Sequence, residues 1–165
     1  HSTLLETVES IAVFSDCERF RYYLSRTWNP ALPSLTFLML NPSTATHERN
    51  DPTIERCEQR ARKGRYGELR ILNLFALRST DPKALYSHPN PIGKHNNDHI
   101  LKYTINTTLV CAWGQHGKLH NRGKEVERML RDENRPLYYL KLGQNNTPSH
   151  PLYLPYNLMP LLWEL

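Results

Sequence analysis

The sequence predicts an α/β fold: a three-layer sandwich with a four-stranded, mainly parallel central sheet, helices on both faces and an N-terminal β-hairpin. Short apolar runs alternate with longer segments of helical periodicity, which is the pattern of βαβ units joined by right-handed crossovers. A chain of 165 residues can bury roughly two-thirds of its unfolded surface in one core. We therefore expect a single domain over residues 2–165.

The N-terminal segment predicts an antiparallel hairpin. Residues 11–14 and 19–27 flank a polar turn, and apolar and polar side chains alternate along the second segment. The alternation predicts one apolar face and one face in water, with Arg21 on the wet face. The next run, Leu35–Leu40, is apolar throughout, which is typical of a central strand covered on both faces.

A helix is expected over residues 51–63. Asp51 accepts hydrogen bonds from free backbone N–H groups, and Pro52 fits the first helical position, so this pair predicts where the helix begins. Helical periodicity turns Ile54, Cys57 and Ala61 inward and places Arg56, Arg60 and Arg62 on a solvated face.

The remaining chain continues the alternation of strands and helices. A proline-rich loop is expected over residues 78–91, and a loop of this length in a small domain is usually functional or mobile. Further strands are expected over residues 69–75, 108–113 and 137–142, and further helices over residues 94–106 and 122–132.

The composition favours an anionic partner. The formal net charge is +5 and the pI is about 9.2, which suits nucleic acid or a phosphorylated small molecule. Cys17, Cys57 and Cys111 are widely separated, which fits reduced thiols in the cytoplasm better than a disulfide framework. No stretch approaches the ~18 apolar residues of a membrane span, so no membrane partner is expected, and the oligomeric state stays open.

No cofactor and no metal are expected. Two histidine pairs, His95 with His99 and His116 with His120, have the spacing of zinc ligands on a helix. Neither pair has an evident third and fourth ligand nearby. The sequence also contains no phosphate-binding glycine loop and no dinucleotide fingerprint.

Polar groups suited to a nucleobase lie at the ends of three apolar runs. Asn41 follows the first central run, Asn73 lies within the second, and His150 follows the last after a polar loop. Ligands of open α/β sheets bind at the carboxyl ends of the strands. We therefore expect Asn41, Asn73 and His150 to lie around one cleft.

Several segments of the chain resemble known families. The motif Leu-Asn-Pro-Ser-Thr-Ala at residues 40–45, with segments 50–54, 73–82, 112–114 and 150–154, resembles a bacterial and phage family of uncharacterised domains. More distantly, the same landmarks are similar to the uracil-DNA glycosylase superfamily, which implies a glycosylase-like fold.

The glycosylase resemblance implies a role for each strand-end residue. Asn41 would hold the attacking water, Asn73 would read the edge of an extruded base, and His150 would stabilise negative charge on the departing base. Leu152 and Tyr153 follow His150-Pro151 where uracil-excising members continue with serines, so uracil is not the expected base.

Further residues complete the candidate site, each with a structural alternative. Asp51 is a candidate catalytic carboxylate or simply a helix cap; Asn41 and His150 are catalytic candidates or loop residues bonded to backbone. An arginine can contact a phosphate and an aromatic ring can stack on a base, but such residues are also found solvated or in cores. The candidate substrate-binding residues are Pro42, Ser43, Asn73, Phe75, Arg78 and Ser149.

Three functions remain open on the sequence. The first is a DNA glycosylase-like enzyme that hydrolyses the N-glycosidic bond of a modified, flipped-out base. The second is a non-catalytic module that binds a nucleotide or nucleic acid. The third is an enzyme that acts on a free nucleoside or nucleotide, for which the modest positive charge suffices.

Overall fold

The computed structural model describes residues 6–164 and confirms the α/β class. Within these residues, seven strands form one mixed sheet, and four α-helices cover it. The strands are β1 (Glu9–Phe14), β2 (Arg21–Thr27), β3 (Ser34–Met39), β4 (Glu68–Asn73), β5 (Thr108–Cys111), β6 (Tyr138–Tyr139) and β7 (Leu161–Leu162). The helices are α1 (Pro52–Lys63), α2 (Lys83–Ser87), α3 (Asn96–Tyr103) and α4 (Arg122–Asp132), and two 3₁₀ segments lie at Gln115–Asn121 and Gln144–Asn146.

The sheet is larger than the predicted four strands. Its order is β1-β2-β4-β3-β5-β6-β7. Neighbours among β4, β3, β5 and β6 run parallel, but β2 pairs antiparallel with β4, and β7 pairs antiparallel with β6. The N-terminal hairpin therefore extends the central sheet, because β2 uses the hydrogen-bonding edge that β4 would otherwise expose.

Helices cover both faces of the sheet, as predicted. Inward residues of α1, such as Ile54 and Ala61, pack with Phe37 and Ile71 in one buried cluster. Inward residues of α2, α3 and α4 pack on the other face with the sheet residues Leu38, Leu72 and Leu109; they are Leu85, Ile100, Val126 and Leu130. Successive residues of β3 and β4 alternate between these two clusters, because side chains of a strand point to opposite faces.

Helix boundaries set by local signals agree with the sequence prediction better than strand lengths do. Asp51 caps α1, and α4 spans Arg122–Asp132 as expected. The proline-rich loop contains the short helix α2. The strand expected over residues 137–142 reduces to Tyr138–Tyr139, because Leu142 pairs with Pro148 in the following loop instead of extending the strand.

The predicted wet face of the hairpin is wrong. Residues Arg21–Arg26 of β2 are all buried. Ala12 pairs with Leu24 and Val13 with Tyr23, but Phe14 pairs with Arg21, so β2 contains one extra residue there. This bulge lets Tyr22 and Tyr23 both stack on α3, against His99 and Tyr103, and turns Arg21 towards the opposite face.

Cysteine and membrane features are simple in the part of the chain that the structure describes. Cys17, Cys57 and Cys111 are free, and only Cys17 is exposed. Burial raises the pKa of the Cys57 and Cys111 thiols, so both stay protonated at neutral pH. None of the helices within residues 6–164 has the length and apolar character needed to cross a bilayer.

Candidate functional site

The chain reverses its winding direction at the carboxyl ends of β3 and β5. From β3 the chain passes through α1 on one face to β4, whereas from β5 it passes through α4 on the other face to β6. These two strands are neighbours in the sheet, so their connections diverge to opposite sides from this point. Open α/β sheets bind ligands at such a point. Asn41 follows β3 here, and Gly114 follows β5.

Asn41 ties two strand-end loops together. Its Nδ2 donates to the backbone oxygens of Pro42 (3.2 Å), Leu77 (3.2 Å) and Ser79 (3.0 Å). The backbone N–H of Ser79 donates in return to Pro42 O at 2.8 Å. The side-chain nitrogen of Asn41 thus hydrogen-bonds only to backbone oxygens. Its side-chain oxygen accepts no hydrogen bond within residues 6–164. Pro42 is buried beside it, and Ser43 is partly exposed.

Asp51 is the N-cap of α1 and is 8% exposed. One carboxylate oxygen accepts from the backbone N–H of Ile54 at 2.9 Å, and the other accepts from that of Ala45 at 3.3 Å. Both oxygens therefore already hold the loop between β3 and α1. The charge of this carboxylate also acts on Arg21 and on His150, since it opposes the lowering of both their pKa values by burial.

Asn73 is the last residue of β4, and its side chain is a buried amide whose oxygen has no hydrogen-bond partner within residues 6–164. The residue is 2% exposed, and its Oδ1 is buried without a hydrogen-bond partner in the described chain. It lies opposite Met39 in the parallel register, on the face of the sheet that α1 covers. An unpaired buried acceptor costs about 1–3 kcal/mol, and the Oδ1 of the neighbouring Asn96 is a second such acceptor.

Phe75, two residues further, lies in the apolar core. It is 0% exposed and packs in the cluster beneath α2, α3 and α4. Its ring is not accessible for stacking on a base in this structure. Asn96 of α3 holds the adjoining backbone, because its Nδ2 donates to the oxygens of Asn73 and Leu74 at 2.9 Å each. These contacts fix the strand end that carries the Asn73 amide.

His150 lies over the carboxyl end of β5. The Cβ of His150 is 3.7 Å from the position that a Cβ on Gly114 would occupy. Gly114 has a φ of +73°, a backbone conformation that residues other than glycine rarely adopt. The backbone N–H of Leu152 donates to His150 Nδ1 at 3.3 Å, so the ring proton of the neutral imidazole resides on Nε2. Burial lowers the pKa of His150, which keeps this Nε2–H donor neutral at pH 7.

Ser149 precedes His150 in a loop held by backbone bonds. Its N–H donates to Lys141 O at 2.8 Å, and Gly114 N–H donates to Pro148 O at 2.8 Å. The loop is therefore fastened at the two residues that immediately precede the histidine. The Ser149 hydroxyl makes no hydrogen bond within residues 6–164 and is partly buried.

Acidification should destabilise the protein through His150. Its pKa is lowered from 6.5 in the folded chain, so below that pH the unfolded chain binds more protons. The contribution of His150 to stability is complete above pH 6.5 and declines as the pH falls towards the folded pKa. We expect the free energy of unfolding, measured in urea at about pH 7.5 and pH 5, to fall less for His150→Gln than for wild type.

The matched control for this prediction is His47→Gln, because His47 is an exposed histidine between β3 and α1. This variant should keep the wild-type pH dependence. Equal losses of stability in wild type and His150→Gln would mean that His150 is as easily protonated in the folded chain as in the unfolded one.

The sequence pattern did not identify Arg21 as a buried residue that supports the loop after β3. Arg21 is 1% exposed; its Nη1 donates to Ala45 O at 3.0 Å, and its Nε is buried without a partner. Burial and the like charges of Arg78 and Arg26 lower the pKa of Arg21 to about 10, while Asp51 opposes them. No local signal could separate Arg21 from an exposed hairpin arginine.

Arg26 and Arg78 hold other carbonyls of the same loop. Arg26 Nη2 donates to the backbone oxygens of Thr46 and Arg49, and Arg78 Nε donates to Ser43 O at 3.3 Å. Arg78 also donates from Nη1 to Glu18 O at 3.0 Å. The loop that carries Ser43 therefore rests on arginines from neighbouring segments, and it has a preformed shape.

These contacts define an α/β domain with a polar site at the carboxyl edge of its sheet. Asn41 follows β3, His150 lies beside Gly114 after β5, Asp51 caps α1, Asn73 ends β4, and Phe75 lies in the core. Among residues 6–164, no group of three or more His, Cys, Asp or Glu side chains is arranged to hold a metal ion.

The chain belongs to the family described as "Protein of unknown function (DUF1643)", whose model matches residues 21–152. The predicted membership in a family of uncharacterised domains is confirmed at this level. No curated protein and no solved structure matches the chain in sequence or fold searches. The matched region includes every candidate residue of the strand-end site.

Proposed function

We propose that the strand-end site binds a nucleobase and that the protein hydrolyses the N-glycosidic bond of a modified base in DNA. The observation that carries this proposal is the side-chain oxygen of Asn73, which is buried without a hydrogen-bond partner in the described chain, beside the end of β3. A side-chain amide offers both a donor and an acceptor, which match the edge of a base. A base must leave its duplex stack to reach such a buried group.

His150 supports the chemistry of bond cleavage. When the bond between the sugar and the base breaks, negative charge develops on the base. A neutral Nε2–H donor aimed at a base oxygen stabilises that charge mainly in the transition state, where it is most useful for catalysis. The bond from Leu152 N–H to Nδ1 holds the imidazole in this tautomer.

Asn41 and Asp51 would act on the water in this proposal. The free side-chain oxygen of Asn41 accepts a hydrogen bond from a water molecule that attacks the sugar carbon as the base departs with the bonding electrons. The water then loses a proton, and the base gains one. Because both oxygens of Asp51 already accept backbone N–H groups, neither is free to take the proton of the water without giving up such a bond, and we expect slow turnover.

A basic cleft beside the Asn41 loop supports nucleic acid as the partner. A cavity of about 480 Å³ is lined by Arg19, Arg78 and His88, with Glu18 as an acidic residue and Leu77 and Ser87 beside them. Leu77 accepts from Asn41, so this cleft adjoins the strand-end site. Two arginines and a histidine around an open cleft suit a phosphodiester backbone that leads to the flipped base.

The fold agrees with this proposal only in outline. Four adjacent strands run parallel in the order β4-β3-β5-β6, and the winding reverses at the polar site. This arrangement is compatible with the glycosylase-like architecture that the motifs of the chain resemble. We propose the relationship on those motifs together with the strand-end positions of Asn41 and His150.

A base-release assay tests the proposal. Duplexes carrying a panel of deaminated, oxidised and alkylated bases are incubated with the protein, and both free base and abasic sites are measured. We expect release from at least one duplex, strongly reduced by His150→Gln. Absence of both products across the panel would contradict the enzymatic function.

A non-catalytic nucleobase-binding module is the second candidate. The observation that favours it is the commitment of the Asn41 nitrogen and of both Asp51 oxygens to the backbone, which leaves no strong base in the site. In this case a base-containing ligand should saturate the site without product. A weak dependence of binding on salt would indicate a free nucleotide, because each phosphate contact with a polymer releases counterions.

A further inference from the structure

A second candidate site lies at the opposite end of α1, away from Asp51. A cavity of about 130 Å³ separates the C-terminal half of α1 from the segment that follows the strand-end loop. Its walls are mainly apolar, from Leu35, Phe37, Leu140 and Leu158, and Arg60 and Lys63 also line it. No residue of the strand-end site lines this cavity.

Arg60 is a buried cation without an anionic partner in the described chain. It is 7% exposed, although its sequence pattern predicted a solvated helix face. Its Nη2 donates to the backbone oxygens of Leu154 (2.7 Å) and Pro155 (3.0 Å), while Nε and Nη1 are buried with no partner. One nitrogen thus makes both bonds to the fold, and two remain unused.

Two further cations, Arg56 and Lys63, lie near the same tyrosine ring as Arg60. The guanidinium carbon of Arg56 is 4.4 Å from the centre of the Tyr156 ring, that of Arg60 is 5.2 Å away, and Lys63 Nζ is 5.7 Å away. Arg56 Nη2 also donates to Leu154 O at 2.7 Å, and Arg56 Nε is buried without a partner.

The neighbouring arginine on α1 has a different environment. Arg62 pairs with Glu6 and Glu58, whereas none of the ion pairs found within residues 6–164 involves Arg56, Arg60 or Lys63. A buried cation is costly unless an anion compensates it. The bonds from Arg56 and Arg60 to the backbone of Leu154 and Pro155 use only the Nη2 atoms of the two arginines. The unmatched positive charge at the cavity therefore indicates a site for an anion.

We propose that this cavity binds a small monocarboxylate, with its apolar body among Leu35, Phe37 and Leu140 and its carboxylate on Arg60 and Lys63. An engineered cavity of about 150 Å³ in another protein holds benzene, so a volume of about 130 Å³ suits a body of similar or slightly smaller size. A guanidinium pairs well with a carboxylate through two parallel N–H bonds. A bare phosphate is too strongly hydrated for these apolar walls.

Benzoate is the probe, and benzamide is its neutral isostere. Binding is measured from the change in melting temperature and from NMR shifts of the Met159 methyl, which lies at the cavity. We expect benzoate to bind about tenfold more tightly than benzamide, because only benzoate offers a charge to Arg60. Inorganic phosphate should cause no shift. Equal binding of benzoate and benzamide, shifts with phosphate as large as with benzoate, or no binding at all would overturn the proposal.

Matched variants on α1 identify the contact. Arg60→Gln should strongly reduce the preference for benzoate over benzamide, because only Lys63 then faces the carboxylate, and Arg62→Gln on the same helix should retain it. Identical behaviour of the two variants would contradict the role of Arg60. If Arg60→Gln does not fold, Lys63→Gln should weaken benzoate alone, and Leu140→Phe should fill the cavity and abolish binding of both probes; unchanged binding in these two variants would also overturn the site.

This inference does not rest on the proposed function. Leu140→Phe leaves the strand-end residues in place, so base release should be unaffected by it. Loss of benzoate binding with base release intact, or the reverse, would separate the two sites.

Discussion

Replacing Asn73 with leucine is expected to reduce base binding and base release by about 100-fold or more while leaving the protein as stable as wild type or more stable. The side-chain oxygen of Asn73 is buried without a partner, so the folded protein carries the cost of desolvating it. Leucine has a similar size and no polar atom. Removal of an unsatisfied acceptor should therefore increase the free energy of unfolding by about 1 kcal/mol.

The measurement combines urea unfolding with the base-release and binding assays. Asn96→Leu is the matched control, because Asn96 is equally buried and its Oδ1 also has no partner, but its Nδ2 donates to the backbone at Asn73 and Leu74. That variant removes the Asn96 donor from the Asn73 carbonyl, whereas the Leu74 carbonyl still accepts from Arg122 Nε, so it should lose about 1 kcal/mol of stability. A large loss of stability in Asn73→Leu would instead mean that the Asn73 amide serves the fold.

Replacing Asp51 with alanine is expected to cost about 3 kcal/mol of stability. About 1 kcal/mol comes from the lost helix cap. The remaining ~2 kcal/mol comes from the Ala45 N–H that loses its acceptor and from Arg21, a buried cation that loses the nearest opposing charge. Urea unfolding at neutral pH measures this loss.

Asp51→Asn separates the cap from the charge. Asparagine is an equally good N-cap, so this variant should keep the bond to Ile54 N–H and lose about half as much stability as Asp51→Ala. If the carboxylate assists catalysis, base release by folded Asp51→Asn should still fall sharply. A rate that simply follows the folded fraction would assign Asp51 to the helix cap alone.

Local signals in the sequence were sufficient for the longer helices, but they predicted neither α2 nor the seven-stranded sheet. The Asp51-Pro52 pair and the periodicity of residues 122–132 predicted α1 and α4, because a helix is stabilised by neighbours within one or two turns. The strand lengths at residues 137–142 were less accurate, because strand pairing depends on partners that are distant in the chain.

The candidate site could be predicted in part for a related reason. Apolar runs followed by Asn41, Asn73 and His150 indicated the carboxyl edge of a parallel sheet, and the structure places Asn41 and His150 around the point where the winding reverses. The burial of Phe75 and the bonds of the Asn41 nitrogen depend on loops that meet only after folding.

The amino-acid sequence alone determined the α/β class, the cap that begins α1 and the positions of polar residues at strand ends, since each depends on short-range periodicity and backbone chemistry. The tertiary structure alone decided which charged residues are buried. The sequence pattern predicts that Arg21 and Arg60 are solvated. Instead, a bulge in β2 turns Arg21 towards the loop after β3. The segment at Leu154–Tyr156 covers Arg60. The physical reason is that burial of a side chain depends on what the distant chain places over it, and no local pattern encodes that covering.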